Sequence, residues 1–131
     1  MRILIADDHA VMRRGLKEIL ADALPEACFS EACDGEEALS LLARSEYALL
    51  LLDINMPGRS GLDVLPIVKH AYPQLPVIVV SVQPEDQYAM RSLRAGAAAY
   101  INKDSAPDEL AQATRKILAG GRYVSPRVAE S

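Results

Sequence analysis

The feature that most constrains the fold is an apolar run that stops at an acid: Ala48-Leu49-Leu50-Leu51-Leu52-Asp53. No polar residue alternates within it, so a strand here must be covered on both faces. The chain then turns at once through Ile54-Asn55-Met56-Pro57-Gly58-Arg59-Ser60-Gly61. Open parallel sheets place their chemistry at the carboxyl ends of such strands. An isolated acid there more often only begins a solvated turn, so the rest of the chain must decide what Asp53 does.

Four further strands can be read. Arg2–Ala6 is a short apolar run ending at Asp7-Asp8, and Ala27–Cys33 is of mixed polarity, as expected of an exposed edge. Val77–Val80 is buried and stops at Ser81, and Ala97–Ile101 leads into Asn102-Lys103. Between and after them lie helical patterns. Met12, Leu16, Ile19 and Leu20 share one face. Asp34 and Glu37 have capping-box spacing ahead of Ala38, Leu39, Leu41 and Leu42. Leu62, Leu65, Val68 and Tyr72 mark a third face, interrupted by Pro66; either that helix starts late, with Asp63 as its cap, or it kinks at the proline. Pro84 at a first helical position, followed by Glu85 and Asp86, opens a fourth helix that Gly96 closes. Ser105 as cap and Pro107 in the first turn open a fifth, which Gly120-Gly121 stops. Five strands alternating with five helices predict an α/β fold: a parallel sheet with helices on both faces.

A chain of 131 residues suffices for one domain with a sizeable core. Its net charge of −4 argues against it gripping nucleic acid by itself, since phosphate contacts need Lys and Arg. No apolar run approaches membrane-spanning length, and the N-terminus enters a strand without a signal-peptide pattern, so a cytoplasmic location is expected. Cys28 and Cys33 have neither zinc-site nor disulfide-framework spacing and are expected to be small, buried or half-buried side chains. His9 and His70 show no ligand spacing and are expected to be solvated.

The strand ends carry the chemistry. In a parallel sheet Asp7, Asp8, Asp53, Ser81 and Lys103 share one edge. Three converging carboxylates repel one another and raise each other's pKa unless a cation neutralises them. Mg2+, which takes carboxylates, waters and a phosphate oxygen, is the natural partner. A lysine and a hydroxyl beside it suit a phosphoryl group. The pattern points to Mg2+-assisted phosphoryl transfer onto a carboxylate. With no Gly-rich phosphate loop or Walker lysine, the phosphoryl group must come from outside the chain.

The stretches ILIADDH, LLLLDINMPGRSGLDVL, VIVVSVQPED and RAGAAAYINKDSAPDEL resemble the receiver domain of two-component response regulators over about residues 2–121. ADDHAVMRRGL, MPGRSGLDVL, AGAAAYINKDS and AGGRYVSP further resemble the NarL/FixJ subfamily, whose members usually carry a LuxR-type helix-turn-helix output domain. The resemblance implies a five-stranded flavodoxin-like sheet of order 2-1-3-4-5, an order for which a receiver-type protein is a standing example. It implies Asp53 as phosphoacceptor, Asp8 as a direct metal ligand and Asp7 as an acid acting through metal-bound water. It further implies the backbone carbonyl of Asn55 as a metal ligand and Lys103 as the partner of the phosphoryl oxygens. Ser81 would be the switch hydroxyl and Tyr100 the switch aromatic, with Gln83 at a position that tunes attacking water. Many receivers follow the lysine with a cis proline; here Asp104 follows, and a trans bond is expected.

The implied function is a phosphorylation-controlled switch. A histidine kinase donates the phosphoryl group, the chain catalyses only its own phosphorylation and dephosphorylation, and a surface for a partner or a second copy changes. Residues 1–121 would form the receiver and residues 122–131 the start of a linker to a DNA-binding domain absent from this chain, so that any DNA contact is made through that domain. The alternatives are a stand-alone receiver and an aspartyl-phosphate phosphotransferase or phosphatase. Asn55, standing where haloacid-dehalogenase-type enzymes have a second acid, argues against the enzyme.

Overall fold

A computed structural model of the chain describes residues 1–123, the side chains of Glu85 and Asp86 excepted. Of the expected linker, residues 122–131, only Arg122 and Tyr123 are described, Tyr123 being buried with its hydroxyl donating to Glu109 at 2.6 Å; residues 124–131 lie outside the described residues, as do the two first-turn acids of the fourth helix as side chains.

The elements alternate strictly: β1 (Arg2–Ala6), α1 (Ala10–Ala23), β2 (Cys28–Ala32), α2 (Gly35–Arg44), β3 (Leu49–Leu52), α3 (Gly61–Ala71), β4 (Val77–Ser81), α4 (Glu85–Arg94), β5 (Ala99–Asn102) and α5 (Ala106–Leu118), with a single 3-10 turn, Lys103–Ser105, before α5. The strands form one parallel sheet of order β2-β1-β3-β4-β5, the flavodoxin-like order.

The leucine run shows why a continuous apolar strand was needed. Successive strand side chains point to opposite faces. Leu50 and Leu52 enter a core shared with Ala38 and Leu42 of α2, Val64, Leu65 and Val68 of α3, and Ala89 of α4. Leu49 and Leu51 enter a second core with Leu16 and Leu20 of α1 and Leu110, Ala113 and Ile117 of α5. All four leucines are buried, and burying each contributes about 1.5–3 kcal/mol. Strand β3 is therefore a rigid rod clamped from both sides, and Asp53 stands at its tip. Strand β2 is the half-exposed edge expected from its polarity.

Several local expectations need correction. Helix α3 does not start late at Asp63: Ser60 is its cap, accepting from the Leu62 amide at 3.1 Å, and Gly61 is its first residue. Pro66 thus lies inside the helix, where its ring nitrogen has no proton to give the Leu62 carbonyl. Pro84 is the cap of α4 rather than its first residue, its carbonyl accepting from Gln87 and Tyr88. Ser105 makes no side-chain cap bond, because the 3-10 turn already carries the chain into α5 and is itself capped by Asn102. Both cysteines are exposed, Cys28 on the edge strand and Cys33 just beyond it. The capping box of α2 forms as read: Asp34 accepts from the Glu37 amide and Glu37 from the Cys33 amide, each at 2.8 Å. Among the described residues no helix is long and apolar enough to cross a membrane.

Candidate functional site

Sheet hydrogen bonding sets Asp7 and Asp53 side by side. The Asp53 amide donates to the Ala6 carbonyl at 3.0 Å, and the Asp7 amide to the Ala32 carbonyl at 3.0 Å. Both acids are thereby held at the carboxyl edge of the sheet with almost no solvent access, 1% for Asp7 and 3% for Asp53. Asp7 is fixed further from α1: its Oδ1 accepts from the His9 amide at 2.8 Å, and Arg13 Nη1 donates to its carbonyl at 2.6 Å. Arg13 also donates from Nε to Glu31 of the edge strand at 2.9 Å, so one guanidinium ties α1, β1 and β2 together.

Lys103 reaches the same point from the far side of the sheet. Its Nζ lies 2.8 Å from Asp7 Oδ2 and 3.3 Å from Asp53 Oδ2, and the side chain is buried. The bond to Asp53 has hydrogen-bond geometry. The shorter contact to Asp7 is a charge contact only, for Asp7 Oδ2 is buried and accepts no well-directed hydrogen bond. Asp53 Oδ1 accepts from the Asn55 amide at 3.3 Å. Burial pushes the Asp53 carboxyl above its ordinary value; the Lys103 charge opposes this, the Asp7 charge adds to it, and the Asn55 amide and Lys103 hydrogen bonds lower it.

Asp8 is exposed, with Oδ1 3.1 Å from His9 Nδ1. His9 Nδ1 is 3.4 Å from Asp7 Oδ1. Asp7, Asp8, His9 and Asp53 each offer a ligand atom, all within 4.8 Å of one another. Three carboxylates fit a hard divalent cation. The buried Asp7 Oδ2, which has the Lys103 charge at 2.8 Å but no well-directed hydrogen bond, fits it too, since a buried carboxylate oxygen left without one is costly. His9, expected to be simply solvated, is exposed but stands against this group. Its position directly after two acids was the one signal the sequence held. The mouth of the site is a hollow of about 340 Å3 lined by His9, Val11, Met12, Asp53, Asn55, Val82 and Lys103. A larger open hollow of about 700 Å3 lies at the opposite edge of the sheet, between residues 42–48 and 72–76. The convergent buried charges are in the smaller one, and the chemistry is assigned there.

Ser81 is buried at the end of β4, and its Oγ accepts from the Gln83 amide at 3.1 Å. Tyr100, 3% exposed, lies inward on β5 and donates its hydroxyl to the Gln83 carbonyl at 2.7 Å. Asn102 Nδ2 donates to that same carbonyl at 3.3 Å, and Asn102 Oδ1 accepts from the Asp104 amide at 2.9 Å. All described peptide bonds are trans, Lys103-Asp104 included, as expected. Pattern reading had missed Arg13, Asn102 and Gly61. A Cβ on Gly61 would sit 2.0 Å from the Asp53 carbonyl oxygen, so only glycine lets α3 start against the acid-bearing turn.

A family model described as "Response regulator receiver domain" matches residues 3–115. Among curated proteins, the response regulator GacA of Pseudomonas aeruginosa is 35% identical over 130 residues, 99% of this chain and 61% of that protein. Response regulator UvrY of Escherichia coli is 30% identical over 130 residues, 99% of this chain and 60% of that protein. The chain thus spans about three fifths of the length of these curated relatives. Among solved structures, a LuxR-family two-component response regulator from Aurantimonas superposes with a TM-score of 0.89 at 30% identity, covering 98% of this chain and 92% of that one. The signal receiver domain of the putative response regulator NarL from Mycobacterium tuberculosis gives 0.80 at 30% identity, covering 91% and 96%.

Proposed function

The chain belongs to the response regulator receiver domain family, and from that premise we propose that it is a phosphorylation-controlled switch with Asp53 as phosphoacceptor. The single observation that carries the assignment is the burial of Asp53 between a lysine and a second acid at one sheet edge. A phosphohistidine of a histidine kinase is the donor. An oxygen of Asp53 attacks phosphorus as the P–N bond breaks; the electron pair leaves on the imidazole nitrogen, which takes a proton, and an acyl phosphate remains on Asp53. Lys103, already 3.3 Å from the carboxylate, supplies a fixed positive charge for the incoming oxygens. Asp7, Asp8, Asp53 and the Asn55 carbonyl would hold Mg2+. When bound, the cation neutralises carboxylate and phosphoryl charge together.

The phosphoryl group competes for Lys103, which now leans on Asp7, and draws on Ser81, whose hydroxyl now accepts from Gln83. The loop after β4 and the Tyr100 hydroxyl bonded to it respond, changing the face built by α4, β5 and α5. The chain turns over no metabolite; it forms and loses its own acyl phosphate. GacA and UvrY carry "response regulator" in their names, and one matched structure is of "two RcsB dimers bound to two parallel DNAs". By analogy the whole protein would act in the cytoplasm and control transcription through a further domain, with phosphorylation favouring a homodimer.

The test is acid-labile labelling with acetyl phosphate and Mg2+. Wild type takes one phosphoryl group per chain and Asp53→Asn takes none. Equal labelling of the two, or continuous hydrolysis of acetyl phosphate by Asp53→Asn, would overturn the assignment.

A further inference from the structure

The side chain of Asn102 touches neither carboxylate, yet it joins the two segments that carry the other groups of the site. Its carboxamide nitrogen donates to the Gln83 carbonyl at 3.3 Å, and the Gln83 amide donates to Ser81 Oγ at 3.1 Å. Its carboxamide oxygen accepts from the Asp104 amide at 2.9 Å, capping the 3-10 turn that starts at Lys103. The backbone between Asn102 and Lys103 is one peptide long, and Asn102 pairs with Ser81 across the β4–β5 ladder. One planar amide therefore fixes the loop after β4 with one end and the lysine-bearing turn with the other. An apolar side chain here would leave the Asp104 amide without this cap and the Gln83 carbonyl held by Tyr100 without the second donor.

We propose that Asn102 is a positioning residue that makes the Ser81 loop and the Lys103 turn move as one unit during phosphoryl transfer. This rests on the phosphoacceptor assignment of Asp53 as far as transfer is concerned; the mechanical tie stands on the hydrogen bonds alone. Preorganised groups act on the transition state without reorganising at the moment of reaction. Loosening the tie therefore slows the transfer step and leaves the binding of the donor unchanged.

The decisive variant is Asn102→Asp, which keeps an oxygen for the Asp104 amide and replaces the donor facing Gln83 with a second acceptor. Amide hydrogen exchange on the 131-residue chain reads the tie. Removing the loop acceptor with Ser81→Ala should change Asp104 amide exchange by about fivefold, the worth of one neutral hydrogen bond, when residue 102 is Asn. With Asn102→Asp the same Ser81→Ala change should move Asp104 by less than about twofold. An equal effect in both backgrounds, or no effect in either, overturns the tie. Asn102→Ala, which removes both bonds, serves the same comparison if the carboxylate disturbs folding.

Acetyl phosphate labelling reads the consequence. The maximal labelling rate of Asn102→Asp should fall about fivefold, with unchanged half-saturating donor concentration and one phosphoryl group per chain at completion. An unchanged maximal rate refutes the positioning role. Absence of labelling in wild type would refute the phosphoacceptor assignment and, with it, the positioning role, while the exchange comparison still decides the tie.

Discussion

Replacing Lys103 with methionine should expose the electrostatic conflict that the site is built around. Nζ lies 2.8 Å from Asp7 Oδ2 and 3.3 Å from Asp53 Oδ2. At an effective dielectric constant of ~20 these contacts correspond to gross attractions of about 6 and about 5 kcal/mol. The loss cannot reach their sum, because the folded variant can protonate one buried carboxyl instead. Asp53 is that group, since burial already raises its pKa. Holding neutral at pH 7 a carboxyl that titrates near 3.9 when unfolded costs about 4 kcal/mol, and at pH 5 about 1.5 kcal/mol. The smaller limit governs, so Lys103→Met should lose about 3–4 kcal/mol of stability at pH 7 in EDTA, close to the ~3–5 kcal/mol typical of stripping one partner from a buried ion pair. The direction with pH follows from linkage. A carboxyl whose folded pKa lies above its unfolded value binds protons more tightly in the folded chain, so stability rises as pH falls through the folded value toward the unfolded one. The gap between variant and wild type should shrink by at least half from pH 7 to pH 5. Urea denaturation at both pH values measures it, and Mg2+ should stabilise the variant more than the parent. A gap below about 1 kcal/mol at pH 7, or one that is the same at both pH values, would refute the account of Lys103 as the charge that lets both acids stay ionised.

Other consequences are as direct. Gly61→Ala would press a methyl group into the Asp53 carbonyl oxygen at 2.0 Å; thermal unfolding should show a loss of about 1–3 kcal/mol, and the labelling rate at Asp53 should fall with it. Asp34→Ala removes the α2 cap that accepts from the Glu37 amide and should cost about 1 kcal/mol in urea denaturation, with labelling unchanged. Because the Asp53 carboxyl is raised, the metal-free anion is lost on acidification at a pH above 3.8, measurable by carboxyl carbon NMR; a midpoint at or below 3.8 would contradict its burial as the dominant influence.

How much of the site was legible in the chain depends on how local each feature is. Capping of α2 was readable because Asp34 and Glu37 are three residues apart and meet within one turn. The start of α3 stayed open between a late start capped by Asp63 and a helix running through Pro66; the structure has Pro66 inside a helix capped by Ser60, with Gly61 packed close on the Asp53 carbonyl, an approach that no helical periodicity encodes. Arg13 reads as one more charge on a helix face until α1 is laid over β1 and β2, where it meets Asp7 and Glu31. Asn102 reads as a strand-end polar residue until the β4–β5 register sets it opposite Ser81.

The sequence by itself determined the alternation of elements, the parallel sheet and the set of strand-end residues, because apolar runs and their interruptions state which segments are buried and where each one stops. Family resemblance then told which strand end lay beside which. Only the tertiary structure decided the pairings within that set. Lys103 sits nearer Asp7 than Asp53, Ser81 is engaged by Gln83, Tyr100 is turned inward onto the same loop, and His9 leans on the acids. The pairs Lys103–Asp53 and Lys103–Asp7 join groups 50 residues apart and farther. They depend on strand register and side-chain direction to within about an ångström, and such distances exist only once both cores have closed on the leucine strand.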